Sequence, residues 1–240
     1  MSKHVNGRIA GNFPLTHTFP SPAKVEHTSA GIRRAHRIRV RTQSSEHRDF
    51  MPPETWHEPH DRNEDYRFVV QQAGSGFRHV VTPEEVRNRL AMLPAEFVRP
   101  LQVVQFSGMT RKKRSMPLYG MQWGTAVYLY PLEADLVESY SVPPTPAQLN
   151  EAKMYGGKWE AVAGRWRLTW TLAAAKDFYL NNILIHELGH LLDSRNTRTV
   201  DRERYAEWFA VQYGYLPTQA ERRRGLPPER REVVRRHARR

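Results

Sequence analysis

Apolar and polar positions along the chain follow two alternating periods. Tyr66-Arg67-Phe68-Val69-Val70 and Phe77-Arg78-His79-Val80-Val81, on either side of Ala73-Gly74-Ser75-Gly76, predict two short strands joined as a hairpin. Thr82-Pro83-Glu84-Glu85 then supplies an N-cap, a proline at the first helical position and a glutamate that completes a capping box, so a helix should run to about Leu93, before Pro94. Leu101–Phe106 reads as a further strand, and Thr125–Tyr130 is the strongest strand of all by its β-branched and aromatic content. Thr145 and Gln148 open a second capped helix, which Gly156-Gly157 should stop near Tyr155. Arg165-Trp166-Arg167-Leu168-Thr169-Trp170-Thr171 alternates with period two, as a strand with one wet face does. Over 177–193 the period becomes helical: Ile185, Leu188 and Leu192 fall on one face, while Ile183, His186, Glu187, His190 and Asp193 run along the other. Asp201 is a natural N-cap for a last helix from Arg202 to about Tyr213, with Gly214 closing it.

Composition limits what these elements can be used for. A chain of 240 residues and 28.0 kDa supports one well-buried core plus extensions. A mean hydropathy of -0.70, no long apolar run and no apolar core near Met1 predict a protein outside the membrane that stays in the cytoplasm. There is no cysteine, so any bound metal must be held by histidine and carboxylate. The net charge of +12 sits at the ends: residues 1–60 carry nine Lys/Arg against five Asp/Glu, and 216–240 nine Arg against three Glu. The middle, 61–215, is nearly balanced, with 19 basic and 17 acidic side chains. These shifts divide the chain into a flexible basic arm (1–60), a catalytic-type domain (61–215) and an arginine-rich helical tail (216–240). The two ends, including the run Arg33-Arg34-Ala35-His36-Arg37-Ile38-Arg39-Val40-Arg41, could engage nucleic acid or another polyanion. The 30 arginines against seven lysines point to a GC-rich bacterial or phage genome. His57 and His60 read as loop residues.

The candidate chemistry lies in His186-Glu187-Leu188-Gly189-His190. Residues four apart stand one turn above each other, so both histidines can hold one metal ion from the same side. Glu187 lies between them and can take a proton from a water that the metal acidifies. Gly189 is an expensive choice inside a helix, by about 1 kcal/mol relative to Ala, and predicts close approach by another segment. A catalytic zinc takes three protein ligands, and the next histidine is His237, in the tail. The third ligand is therefore expected among Glu203 and Glu207, one turn apart on the following helix.

The segment Arg204-Tyr205-Ala206-Glu207-Trp208-Phe209-Ala210 resembles the (F/Y)-A-E-x-F-A segment of gluzincin peptidases such as the catalytic domain of anthrax lethal factor and its ATLF-like relatives, over residues 177–213. That resemblance implies a zincin-like α+β domain, a small mixed sheet with the H-E-x-x-H helix and a glutamate-bearing helix after it. It also implies a Zn2+ cofactor held by His186, His190 and Glu207. A second resemblance, to ImmA/IrrE-type metallopeptidases, puts Glu203 in that place. Glu207 is the preferred assignment. In the lethal-factor group an oxyanion-stabilising residue stands seven positions before the ligand, where this chain has Val200. Tyr205, Tyr213 and Tyr215 are left as candidates for that role, and Asp193 and Glu203 for hydrogen bonds that orient a ligand histidine. The resemblance further implies that a strand beside the active helix pairs with extended substrate, and Arg165–Thr171 is the expected one.

The expected activity is zinc-dependent hydrolysis of peptide bonds in a protein or peptide substrate, with Glu187 as general base. The alternative is a zincin-fold binding or regulatory module whose basic ends engage an acidic partner. The intact Glu187 favours the enzyme, because a binding module has no use for a base.

Overall fold

The computed structural model describes residues 52–59, 65–110 and 118–219, all within one unit. The arginine run of the arm, His60, His237 and most of the tail lie outside the described residues. Strands β1 (Arg67–Val70), β2 (Phe77–Arg78), β3 (Val103–Phe106), β4 (Gly120–Trp123), β5 (Ala126–Leu129), β6 (Leu132–Glu133), β7 (Val137–Tyr140), β8 (Lys158–Val162) and β9 (Arg165–Thr169) form three sheets. Helices α1 (Pro83–Ala91), α2 (Ala95–Val98) and α3 (Pro146–Tyr155) precede a long helical hairpin. Its first arm is α4 (Leu172–Phe178), a π-helical turn Tyr179–Ile183 and α5 (Leu184–Leu192); its second is α6 (Thr199–Phe209) and a π-helical turn Ala210–Tyr215. The class is α+β. No helix among the described residues is long and apolar enough to cross a membrane.

The main sheet has the order β1-β3-β5-β4, with β1, β3 and β5 parallel and β4 antiparallel at the edge. Every residue of β3 and β5 is buried, as strands covered on both faces require. On one face Val104, Phe106, Val127 and Leu129 share a core with Leu184, Ile185 and Leu188 of α5. On the other, Val103, Ala126, Tyr128 and Tyr130 form a smaller cluster. The segment 52–59, expected in the arm, reaches this second face. Tyr128 donates to the Thr55 carbonyl at 3.0 Å, His57 Nε2 lies 2.7 Å from Gln105 Oε1, and the His57 ring stacks on Tyr128.

Both capping boxes form as the sequence predicts, at Thr82/Glu85 and Thr145/Gln148, and Gly156 closes α3 in the left-handed conformation at φ 87°. The expected hairpin does not form. β1 pairs in parallel with β3, and β2 pairs with β6, because the loop after β3 folds onto the turn, with Met109 donating to the Ala73 carbonyl and Gly108 to Gln71 Oε1. α6 begins at Thr199, and Asp201 sits inside its first turn instead of capping it. Gly214 does not end the helix. It lies within the second π-helical turn, where a Cβ would stand 1.9 Å from the Asn181 carbonyl oxygen, so glycine is there for contact with the first π-helical turn.

A second sheet, β7-β9-β8, is antiparallel throughout. It carries Glu138, 5% exposed and enclosed by aromatic donors. Tyr119 and Tyr140 donate to its Oε2 at 2.7 and 2.8 Å, and Trp170 Nε1 donates to Oε1 at 2.9 Å. Burial outweighs those three hydrogen bonds and raises the carboxyl from its ordinary 4.5 to about 7. The folded protein therefore holds this proton more tightly than the unfolded chain does. Stability from this group is complete below pH 4.5 and lost as pH rises through 7. In urea unfolding between those values, wild type should lose on the order of 2–3 kcal/mol relative to Glu138→Gln, which cannot ionise. Parallel pH profiles for the two proteins would show that the carboxyl is ionised in both folded and unfolded states.

Candidate metal centre

The hairpin of α5 and α6 builds the site, and Gly189 sets how closely its arms approach. A Cβ at Gly189 would lie 3.0 Å from Ala206 Cα and 3.0 Å from Phe209 Cβ, so the helices meet there with nothing but backbone on one side. The π-helical turns add a second bare contact at Gly214 and Asn181. Arg89, buried on α1, ties the two turns together by donating to Asn181 Oδ1 at 2.6 Å and to the Tyr213 carbonyl. Arg202 adds a further link, its Nη2 donating to the His190 carbonyl at 3.2 Å.

This packing decides which glutamate faces the histidines. Glu203, Ala206 and Phe209, three residues apart, form the buried stripe of α6. His186 Nε2 and His190 Nε2 lie 3.1 Å apart, with Glu203 Oε2 3.8 Å from the first and Glu203 Oε1 3.9 Å from the second. Among the described residues His186, His190 and Glu203 form the group able to hold a metal ion, their ligand atoms all within 4.8 Å of one another. The glutamate of this group is Glu203, the alternative of the two sequence assignments, and not the preferred Glu207. Glu207 is one turn farther along α6 and outside this group, because Ala206 takes the position against Gly189 and turns Glu203 inward.

The donor set fits zinc in type and size. Two imidazoles and one carboxylate are its usual ligands, and the corners of a tetrahedron with bonds of ~2.0–2.1 Å stand ~3.3 Å apart. The two imidazole nitrogens, 3.1 Å apart, already stand near that spacing, and each lies 3.8–3.9 Å from a different oxygen of the Glu203 carboxylate.

Glu187 sits where α5 meets the sheet edge. It is 8% exposed, and a Cβ on Gly120 of β4 would lie 2.9 Å from its Cγ and 3.0 Å from its Oε1. Gly120 is therefore the position that lets the edge strand lie against the carboxylate. Tyr130 feels the same group: burial, then the negative charge of Glu187, pushes its hydroxyl well up.

The remaining candidates are placed elsewhere. Asp193 closes the turn after α5, its Oδ1 accepting from the backbone of Asn196 at 3.1 Å and from Asn196 Nδ2 at 3.0 Å. Tyr213 packs edge-on to Phe97 and against Phe209, Tyr215 against Tyr155, and Tyr205 against Trp208 under the Arg195 guanidinium. These are the contacts of packing residues, and the structure assigns none of the three to the oxyanion role. β9, the strand expected along the cleft, is the middle strand of its sheet and has no free edge. The edge strand beside α5 is β4. Its signal in the sequence was small: Met121 and Trp123 alternate with Gly120 and Gln122 between two glycines.

No protein-family model matches the chain, and no curated protein or solved structure matches it.

If Glu203 is the third ligand, Glu203→Ala should weaken zinc binding by at least about 100-fold, measured by competition with a chromogenic chelator. Glu207→Ala should stay within about threefold of wild type, as expected of a position outside the group. The opposite order would restore Glu207.

Proposed function

We propose that the protein is a zinc-dependent peptidase of zincin-like architecture. The observation that carries this reading is the meeting of His186, His190 and Glu203 beside a buried Glu187 at the open edge of a sheet. The three side chains would hold the ion, with His186 and His190 as neutral imidazoles. When bound, zinc acts as a Lewis acid that polarises a carbonyl and lowers the pKa of a water.

The chain's own groups do the rest. Glu187 accepts the proton of the attacking water and returns it to the leaving nitrogen, two transfers that one carboxylate can make from one position. Gly120, which has no Cβ, leaves that carboxylate room against β4. Substrate alignment falls to β4. Tyr130 donates its amide to the Tyr119 carbonyl, and the antiparallel register pairs Met121 with Tyr128. By the alternation of such ladders, the backbone groups of Gly120 and Gln122 point to the outer edge, which pairs with no other strand among the described residues. An extended peptide adding to that edge would run past Glu187. A base buried at the metal-capable group favours hydrolysis over a purely binding role.

A proteome-derived peptide library incubated with zinc-loaded full-length protein tests this. Wild type should cleave a defined subset. Glu187→Gln should keep one zinc per chain and lose roughly 10²–10⁴ in rate. Equal cleavage by both proteins would remove Glu187 from the chemistry, and no cleavage by wild type would remove the peptidase reading.

A further inference from the structure

Glu138 takes no part in the proposed hydrolysis, although its carboxyl is buried deeper than either Glu187 or Glu203 and meets three donors. Its connections lead toward the site. Tyr119, which donates to it at 2.7 Å, immediately precedes Gly120, where a Cβ would meet Glu187 at 2.9–3.0 Å. The Tyr119 ring stands edge-on to Phe178 and Tyr179, at the junction of α4 and the first π-helical turn. The Tyr119 carbonyl also accepts the first backbone bond between the β4 and β5 chains, from Tyr130. Tyr119 is thus held at its backbone by β5, at its ring by the active hairpin and at its hydroxyl by the second sheet.

We propose that Glu138 is a positioning residue for the site: through the Tyr119 hydroxyl it holds β4 in place beside Glu187, and so sets the line along which an extended peptide would pass the histidine pair. The consequence for substrate rests on the peptidase reading; the consequence for β4 does not. The groups facing Glu138 are Tyr119 ahead of β4, Tyr140 on β7, Trp170 after β9, Glu133 on β6 and Tyr179 in the π-helical turn. Tyr140 is the internal control. Its hydroxyl donates to the same Oε2, at 2.8 Å, and lies 3.2 Å from the Tyr119 hydroxyl, yet its own strand, β7, is not part of the main sheet. A role confined to stabilising the core would make the two tyrosines equivalent. A tether to β4 makes only Tyr119 matter at the site.

The test compares Tyr119→Phe with Tyr140→Phe in the full-length, zinc-loaded protein. Amide hydrogen exchange is read at Met121 of β4 and, as reference, at Val104 of β3. The proposal expects Tyr119→Phe to speed exchange at Met121 about tenfold relative to Val104, with Tyr140→Phe leaving the ratio within about twofold. On a peptide that wild type cleaves, Tyr119→Phe should lower kcat/KM about tenfold, as a misaligned substrate does, and Tyr140→Phe by less than about threefold. Glu138→Gln, whose amide oxygen can still accept from Tyr119, should give the smaller exchange effect. Equal effects of the two tyrosine variants on the ratio, or no change at Met121 in Tyr119→Phe, would overturn the tether. If wild type cleaves no peptide, the hydrolytic reading fails and the exchange ratios still decide the tether.

Discussion

The metal-capable group depends on two places where helices meet backbone to backbone. At Gly189 a Cβ would stand 3.0 Å from Ala206 Cα and Phe209 Cβ, tighter than ordinary packing, and at Gly214 any Cβ would overlap the Asn181 carbonyl. Close contacts of this kind fix translation and rotation together, because each helix loses the freedom to slide that an intervening side chain would permit. With α6 fixed, the stripe Glu203-Ala206-Phe209 must face α5, and Glu203 reaches the histidines as a result. Arg89 acts at the same level, joining both π-helical turns from a third helix. The π-helical turns flank the site elements, a location in which such turns are frequent.

A second contact of the same type relates the hairpin to the sheet. Gly120 lets β4 approach Ile183 and Glu187 more closely than any other residue would allow, its virtual Cβ falling 2.6 Å from Ile183 Cγ2. The proposed base therefore belongs to α5 but is located by the sheet edge. Three glycines, at 120, 189 and 214, thus set the mutual placement of His186, His190, Glu203 and Glu187.

Much of the local structure was legible in the sequence because its causes are local. Thr82 with Glu85, Thr145 with Gln148, and Gly156 as a left-handed cap specify helix ends through bonds within a few residues. His186 and His190 share a face by pitch alone, and the cost of Gly189 in a helix already implied a close neighbour. What could not be read depends on partners distant in the chain. β1 and β2 looked like a hairpin because the loop that separates them, 107–109 folding onto 71–74, comes from another part of the sequence. β4 is short and begins with glycine, so its period is weak, and its place beside α5 follows from contacts with Ile183 and Glu187. Glu203 and Glu207 face nearly the same way on an isolated helix; the packing of Ala206 on Gly189 separates them. Glu138, in Val-Glu-Ser-Tyr, carries no local sign of burial; Tyr119, Tyr140 and Trp170 close around it only in the fold.

The proposed three-ligand zinc site depends on the crossing of α5 and α6. Anomalous diffraction at the zinc edge from crystals of the zinc-loaded full-length protein tests it most directly. A single strong peak is expected, within about 2.0–2.2 Å of His186 Nε2, His190 Nε2 and a Glu203 carboxylate oxygen. A peak ligated by Glu207, or one that leaves out either histidine, would contradict it.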